Sequence, residues 1–220
     1  MIAYCADVGS VPEGKFAWAM AMREAGATTI KGGSSIDDLV EGLAADLGSG
    51  SRVSLGMEAP LFLPVPLTSL GLGRGRDGDG NRSCFASAGA CVTTLGLHEL
   101  AYILSRLKAR VPSLSVTLDL ATWRAAPTTT LLLWEAFVSG SAHTKSDDHV
   151  QDAASGAVRF LDDLGANVAP TVTVDEPREV LSLAGAVLLW AGLTTNLGEL
   201  RRSSLVVKPT EPWSGDVKRV

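Results

Sequence analysis

The chain has 220 residues, 46% hydrophobic and 20% charged, with 19 basic against 24 acidic side chains and a net charge of −5. A chain of this length buries roughly 70% of the surface its unfolded form exposes, so it needs no disulfide or metal staple, and the composition excludes disordered, collagen-like and coiled-coil proteins. The acidity excludes a protein that holds nucleic acid over its whole surface; a polyanion has to meet a local patch.

The longest apolar stretch, Leu181 to Leu193, covers about 13 residues against the ~20 of a membrane span, so no membrane partner is expected. The opening MIAYCADVGS has no basic region ahead of its apolar residues, so no signal peptide is expected. Cys5, Cys84 and Cys91 cannot all pair and none forms a CxxC, which fits free thiols in a reducing, cytoplasmic compartment.

Ile2 to Cys5 is an apolar run with Asp7 at its exit, a buried strand. Lys15 to Met22, bounded by Gly14 and Gly26, has strand length, and the β-branched Ala27 to Lys31 pairs with it. Ser35 is placed to cap a helix whose first turn carries Asp37 and Asp38, and Ile36, Leu39, Val40, Leu43 and Leu47 share its apolar face. Arg52 to Met57 is a further strand, ending at Glu58 before Ala59-Pro60 and a Pro-rich loop. Leu72 to Arg82 is Gly-rich without periodicity and is expected to be mobile.

A long helix follows over Ser87 to Arg110, stopped by Pro112, then strands over Leu114 to Leu120 and Thr128 to Val138. Ser146 to Leu164 is a helix with small residues around Asp152 that let it approach a sheet closely. Thr171 to Val174 and Leu205 to Lys208 are short strands, Leu181 to Leu193 is a core helix or the face of a homodimer, and the tail after Pro209 is loosely held. The expected fold is a single α/β domain over 1–220, with a mixed five-stranded sheet (βββαβ core) flanked by helices and an inserted Gly/Arg-rich loop plus helix over 70–112.

If the first and fourth strands are parallel neighbours, Asp7 and Glu58 meet at one sheet end. His149 and Asp152 are three apart on the late helix and share a face, as do Asp148 and Asp152, four apart. Hard cations such as Mg²⁺ or Mn²⁺ take oxygen ligands, usually two or more carboxylates plus waters. In two-metal sites they stabilise the attacking and leaving oxygens of a phosphate displacement. Glu135, inside LLLWEAF, is either a fourth ligand or a buried acid paired with an arginine. The loop arginines Arg74, Arg76 and Arg82 are either solvated or a flap over a phosphodiester, since a guanidinium grips phosphate bidentately.

The βββαβ order, with acids ending strands one and four and another acid on a late helix, resembles the RNase H-like superfamily. Cys5-Ala6-Asp7-Val8-Gly9-Ser10, Gly56-Met57-Glu58-Ala59-Pro60, Trp134-Glu135-Ala136-Phe137 and His149-Val150-Gln151-Asp152-Ala153-Ala154 carry the likeness. They are similar to Holliday-junction-resolvase-type proteins and to a predicted RNase H-like nuclease group of unknown function. The resemblance implies a divalent-metal-dependent nuclease or phosphodiesterase acting on nucleic acid through a local patch. Asp7, Glu58 and Asp152 would hold Mg²⁺ or Mn²⁺, aided by Asp148 or His149, with Glu135 as a further catalytic acid. The rival expectation from another class is a non-catalytic binding or assembly protein on the same fold.

Overall fold

The apolar runs at the start of the chain pair as strands. β1 (Ile2–Asp7), β2 (Ala17–Glu24) and β3 (Ala27–Gly33) form an antiparallel meander. α1 (Ile36–Gly48) carries the chain back, and β4 (Val53–Met57) enters beside β1 in parallel. The computed structural model describes residues 1–24, 26–80, 83–138, 146–164, 170–174 and 179–220. Among them follow β5 (Phe62–Val65), α2 (Ser87–Arg110), β6 (Ser115–Thr117), α3 (Leu120–Ala125), β7 (Thr130–Ala136), α4 (His149–Leu164), β8 (Glu179–Ser182), α5 (Leu183–Trp190), β9 (Val206–Val207) and β10 (Lys218–Arg219).

Among the described residues an eight-stranded sheet runs β10-β3-β2-β1-β4-β7-β6, with β9 also paired to β7. Only the pairings of β2, with β1 and with β3, are antiparallel in it. β5 and β8 form a separate antiparallel pair. The protein is thus a mixed α/β fold with a mostly parallel central sheet flanked by helices, larger than the five strands expected.

Successive side chains of a strand point to opposite faces. In β1, Ile2, Tyr4 and Ala6 enter the core shared with α1, α2 and α5, while Ala3 and Cys5 enter the core under α4. Leu55, Met57, Leu131 and Leu133 join the first core; Leu132, Trp134 and Ala136 join the second. Burial on both faces is why β1, β4 and β7 are continuous apolar runs rather than alternating ones. Ser35 caps α1 as expected, its Oγ accepting from the Asp38 amide at 3.1 Å.

Small residues bring α4 close to the sheet. A Cβ on Gly156 would stand 2.7 Å from the Cys5 sulfur, and one on Gly32 would stand 2.6 Å from a Val150 methyl and 2.5 Å from the Trp18 carbonyl oxygen. Gly32→Ala is therefore an overpacking substitution at the seat of the first turn of α4. It is expected to cost roughly 2 kcal/mol, measured as a lowered urea midpoint at unchanged m-value.

Several segments depart from expectation for local reasons. The strand over 114–120 is cut short because Asp119 accepts from the Thr122 amide at 2.6 Å and starts α3. The strand over 171–174 is a single bridge between Asp77 and Thr173. The Pro-rich stretch after Glu58 contains β5, where Pro64 is tolerated because that strand has one partner among the described residues. Residues 181–182 belong to β8, and the helix begins at Leu183 under a Ser182 cap; it buries Ala184, Val187 and Leu188 and leaves Trp190 exposed. The tail is held rather than loose: β10 pairs with β3, and the Val220 amide donates to Gly32 O at 3.0 Å. No helix among the described residues is long and apolar enough to cross a membrane.

Candidate metal centre

The register Ala6↔Met57 places Asp7 and Glu58 side by side at the C-terminal ends of β1 and β4, and the Glu58 amide donates to Ala6 O at 2.8 Å. Each follows a residue of the α1–α2 core, so alternation turns both toward α4. The first turn of α4 lies over them. Asp148 is its N-cap: the carbonyl accepts from the Asp152 amide at 3.1 Å and Oδ1 accepts from the Val150 amide at 3.0 Å. His149 and Asp152 then share the sheet-facing side.

His149 Nδ1 stands 2.6 Å from Asp7 Oδ2. Asp152 is fully buried, and its Oδ1 accepts from the Ser146 amide at 2.7 Å. One ligand atom from each of Asp7, His149 and Asp152 lies within 4.8 Å of the others, an arrangement that can hold a metal ion. Glu58 is buried next to this group and is not one of its three members. Beneath them, burial pushes the Cys5 thiol up, and the negative fields of Glu58, Asp7 and Asp152 push it further. The three carboxylates thus all act on the same buried thiol.

Asp148 does not join them. As N-cap its backbone is non-helical, so the four-residue spacing to Asp152 does not put the two on one face. Its Oδ2 instead receives Arg219.

Glu135 stands on the other face of the sheet. Its register partner is Met57, one position away from the row of Asp7 and Glu58, so it points toward the α2 side. There Oε1 and Oε2 accept from the Arg76 guanidinium at 2.6 and 2.7 Å, and Oε2 also accepts from the Leu61 amide at 3.0 Å. Asp79 takes the other side of the guanidinium, at 2.9 Å, and the Phe62 ring lies 4.6 Å beneath it. Burial pushes the Glu135 carboxyl up, against the pull of Arg76. Of its two expected roles, the pair with an arginine is the one the structure displays.

The Gly-rich loop is correspondingly anchored rather than mobile at Arg76, whose side chain is 1% exposed. Arg74 is exposed, and Arg82 lies outside the described residues.

Sequence reasoning passed over Glu99. It lies on α2 beside the exit of β1, where the Gly9 amide donates to its carboxyl, and its Oε2 finds no hydrogen-bond partner among the described residues. The helical spacing of Gly96, Leu100, Ile103 and Leu107 marks the buried stripe it belongs to. Burial pushes this carboxyl up to about 8. A group held above its unfolded value takes up a proton on folding, so its contribution is fully present below the ordinary glutamate range and is lost as pH rises toward 8. Glu99→Gln should therefore match the wild type in Tm near pH 5 and exceed it near pH 9, in thermal scans at both values.

The chain matches no protein-family model, no curated protein and no solved structure.

Proposed function

We propose that the chain is a divalent-metal-dependent phosphodiesterase or nuclease on an RNase H-like scaffold. The observation that carries this is the convergence of Asp7, His149 and Asp152, drawn from β1 and α4, into one group with metal-ligand spacing, buried at its two aspartates and partly exposed at the histidine. The β3-β2-β1-β4 order, with acids at the exits of β1 and β4, supports the same reading. The donor set suits the ion. Carboxylate oxygens are hard ligands for Mg²⁺ or Mn²⁺, and one imidazole nitrogen tilts the preference toward Mn²⁺.

Asp7, His149 and Asp152 would hold the cation, with Glu58 flanking it. A bound divalent cation supplies Lewis acidity toward a phosphoryl oxygen and an attacking water. The protein groups orient one another. Asp7 Oδ2 fixes the His149 ring through Nδ1, and the Ser146 amide fixes the Asp152 carboxylate. The carboxylates crowd negative charge where a cation would offset it, and a phosphate could approach only with that charge neutralised.

The test is calorimetric titration with Mn²⁺ followed by cleavage of a labelled oligonucleotide. Saturable uptake with EDTA-sensitive cleavage is the expected result. Absence of uptake at millimolar Mn²⁺ supports the non-catalytic binding protein instead. That alternative gains from Arg76, which is committed to Glu135 and Asp79 rather than offered to a phosphate.

A further inference from the structure

We propose that Arg219 is a positioning residue for the metal centre: acting through Asp148, it fixes the first turn of α4 and so sets His149 and Asp152 against Asp7. The inference deepens the metal-centre reading and rests on it, but it concerns a residue outside the ligand group.

Residues 213–220 form a strap along the helix that carries the site. The Trp213 amide donates to Ser155 Oγ at 2.7 Å, and Ser155 Oγ donates in turn to Gln151 O at 2.9 Å. Gln151 Nε2 reaches Gly215 O at 3.5 Å. Trp213 and Val217 pack against the core under α4. The strap then joins the sheet as β10, where Arg219 is the register partner of Gly32. Gly32 is the residue on which Val150 is seated. The first turn of α4 is thus held from below by β3 and from the side by β10.

Asp148 is where the lateral hold is applied. It takes Arg219 on Oδ2 and the Val150 amide on Oδ1, while its carbonyl takes the Asp152 amide and, at 2.9 Å, the Ser146 hydroxyl. His149 is the next residue. A rotation of this cap moves both ligands relative to Asp7, and the 2.6 Å contact between His149 and Asp7 leaves little slack. Arg219 also brings a cation to this turn through its pair with Asp148.

The Arg219–Asp148 pair is partly exposed, with side-chain exposures of 51% and 41%. Such pairs contribute little to global stability. Substituting Arg219 should therefore disturb the site while leaving the fold in place.

The experiment uses the full chain labelled with ¹⁵N histidine. The ring-nitrogen shifts of His149 are recorded without metal, and Mn²⁺ affinity is measured by calorimetry. Arg219→Ala should move the His149 shifts and weaken Mn²⁺ binding roughly 10-fold, with Tm changed by no more than about 2 °C. Arg219→Lys should restore both readouts. Asp148→Asn, which keeps an oxygen for the Val150 amide, should reproduce the alanine phenotype and add nothing to it in the double variant. Wild-type shifts and wild-type Mn²⁺ affinity in Arg219→Ala overturn the proposal, including the case where only oligonucleotide affinity falls, which would make Arg219 a phosphate contact. A wild-type protein that takes up no Mn²⁺ removes the metal-centre reading, and the His149 shifts, read without metal, still decide whether Arg219 sets that ring.

Discussion

Replacing Arg76 with alanine should destabilise the protein by about 3–5 kcal/mol, the range for leaving a buried ionic partner uncompensated. The guanidinium is shared by Glu135 and Asp79, and all three side chains are at most 2% exposed. Removing it strands two carboxylates without water, one of them on a strand buried on both faces. It also releases a side-chain tie between the Gly-rich loop and β7, and it strips the Phe62 ring of its cation. Chemical denaturation of the variant measures the loss. Glu135→Gln combined with Asp79→Asn in the Arg76→Ala background should recover part of it, because neutral amides are cheaper to bury than carboxylates. A loss below about 1 kcal/mol for the single variant would mean that the loop opens to water without cost to the core.

Asp7→Asn should separate binding from folding. The amide keeps the size of the side chain and an oxygen for His149, and it removes the charge that a cation needs. Mn²⁺ affinity is expected to fall more than about 100-fold, beyond what losing an outer partner of a ligand costs. The metal-free variant should be at least as stable as the wild type. Asp7, Glu58 and Asp152 press their fields on the same buried thiol, so neutralising one relieves repulsion among the others. A calorimetric titration and a thermal scan read both halves of this prediction. Retained Mn²⁺ binding removes Asp7 from the ligand group, and a large drop in Tm would make it a structural residue.

Much of the centre was legible in the residues because it depends on short-range rules. Asp7 and Glu58 end apolar strands, and parallel neighbours bring strand exits together. His149 and Asp152 share a helix face by spacing alone. Glu135 was not assignable to a face, because β7 is apolar on both sides and gives no period from which to tell them apart; its register with Met57 decides the matter. Asp148 misled by its spacing, which assumes a helical backbone that an N-cap lacks. Arg76 sits among glycines and aspartates that look solvated, and its burial depends on a carboxylate far along the chain. The role of residues 213–220 depends on pairing with β3, a contact between distant stretches that no local pattern records. Glu99 is different: its place on the buried stripe of α2 could have been read from the helical spacing.

A crystal soaked in Mn²⁺ and measured at the manganese absorption edge tests whether the three ligand residues act as one centre. An anomalous peak within about 2.5 Å of oxygens of Asp7 and Asp152 and a ring nitrogen of His149 is the expected outcome. A saturated soak with no peak among these side chains, or with manganese bound only elsewhere on the surface, would contradict the metal centre and the phosphodiesterase built on it.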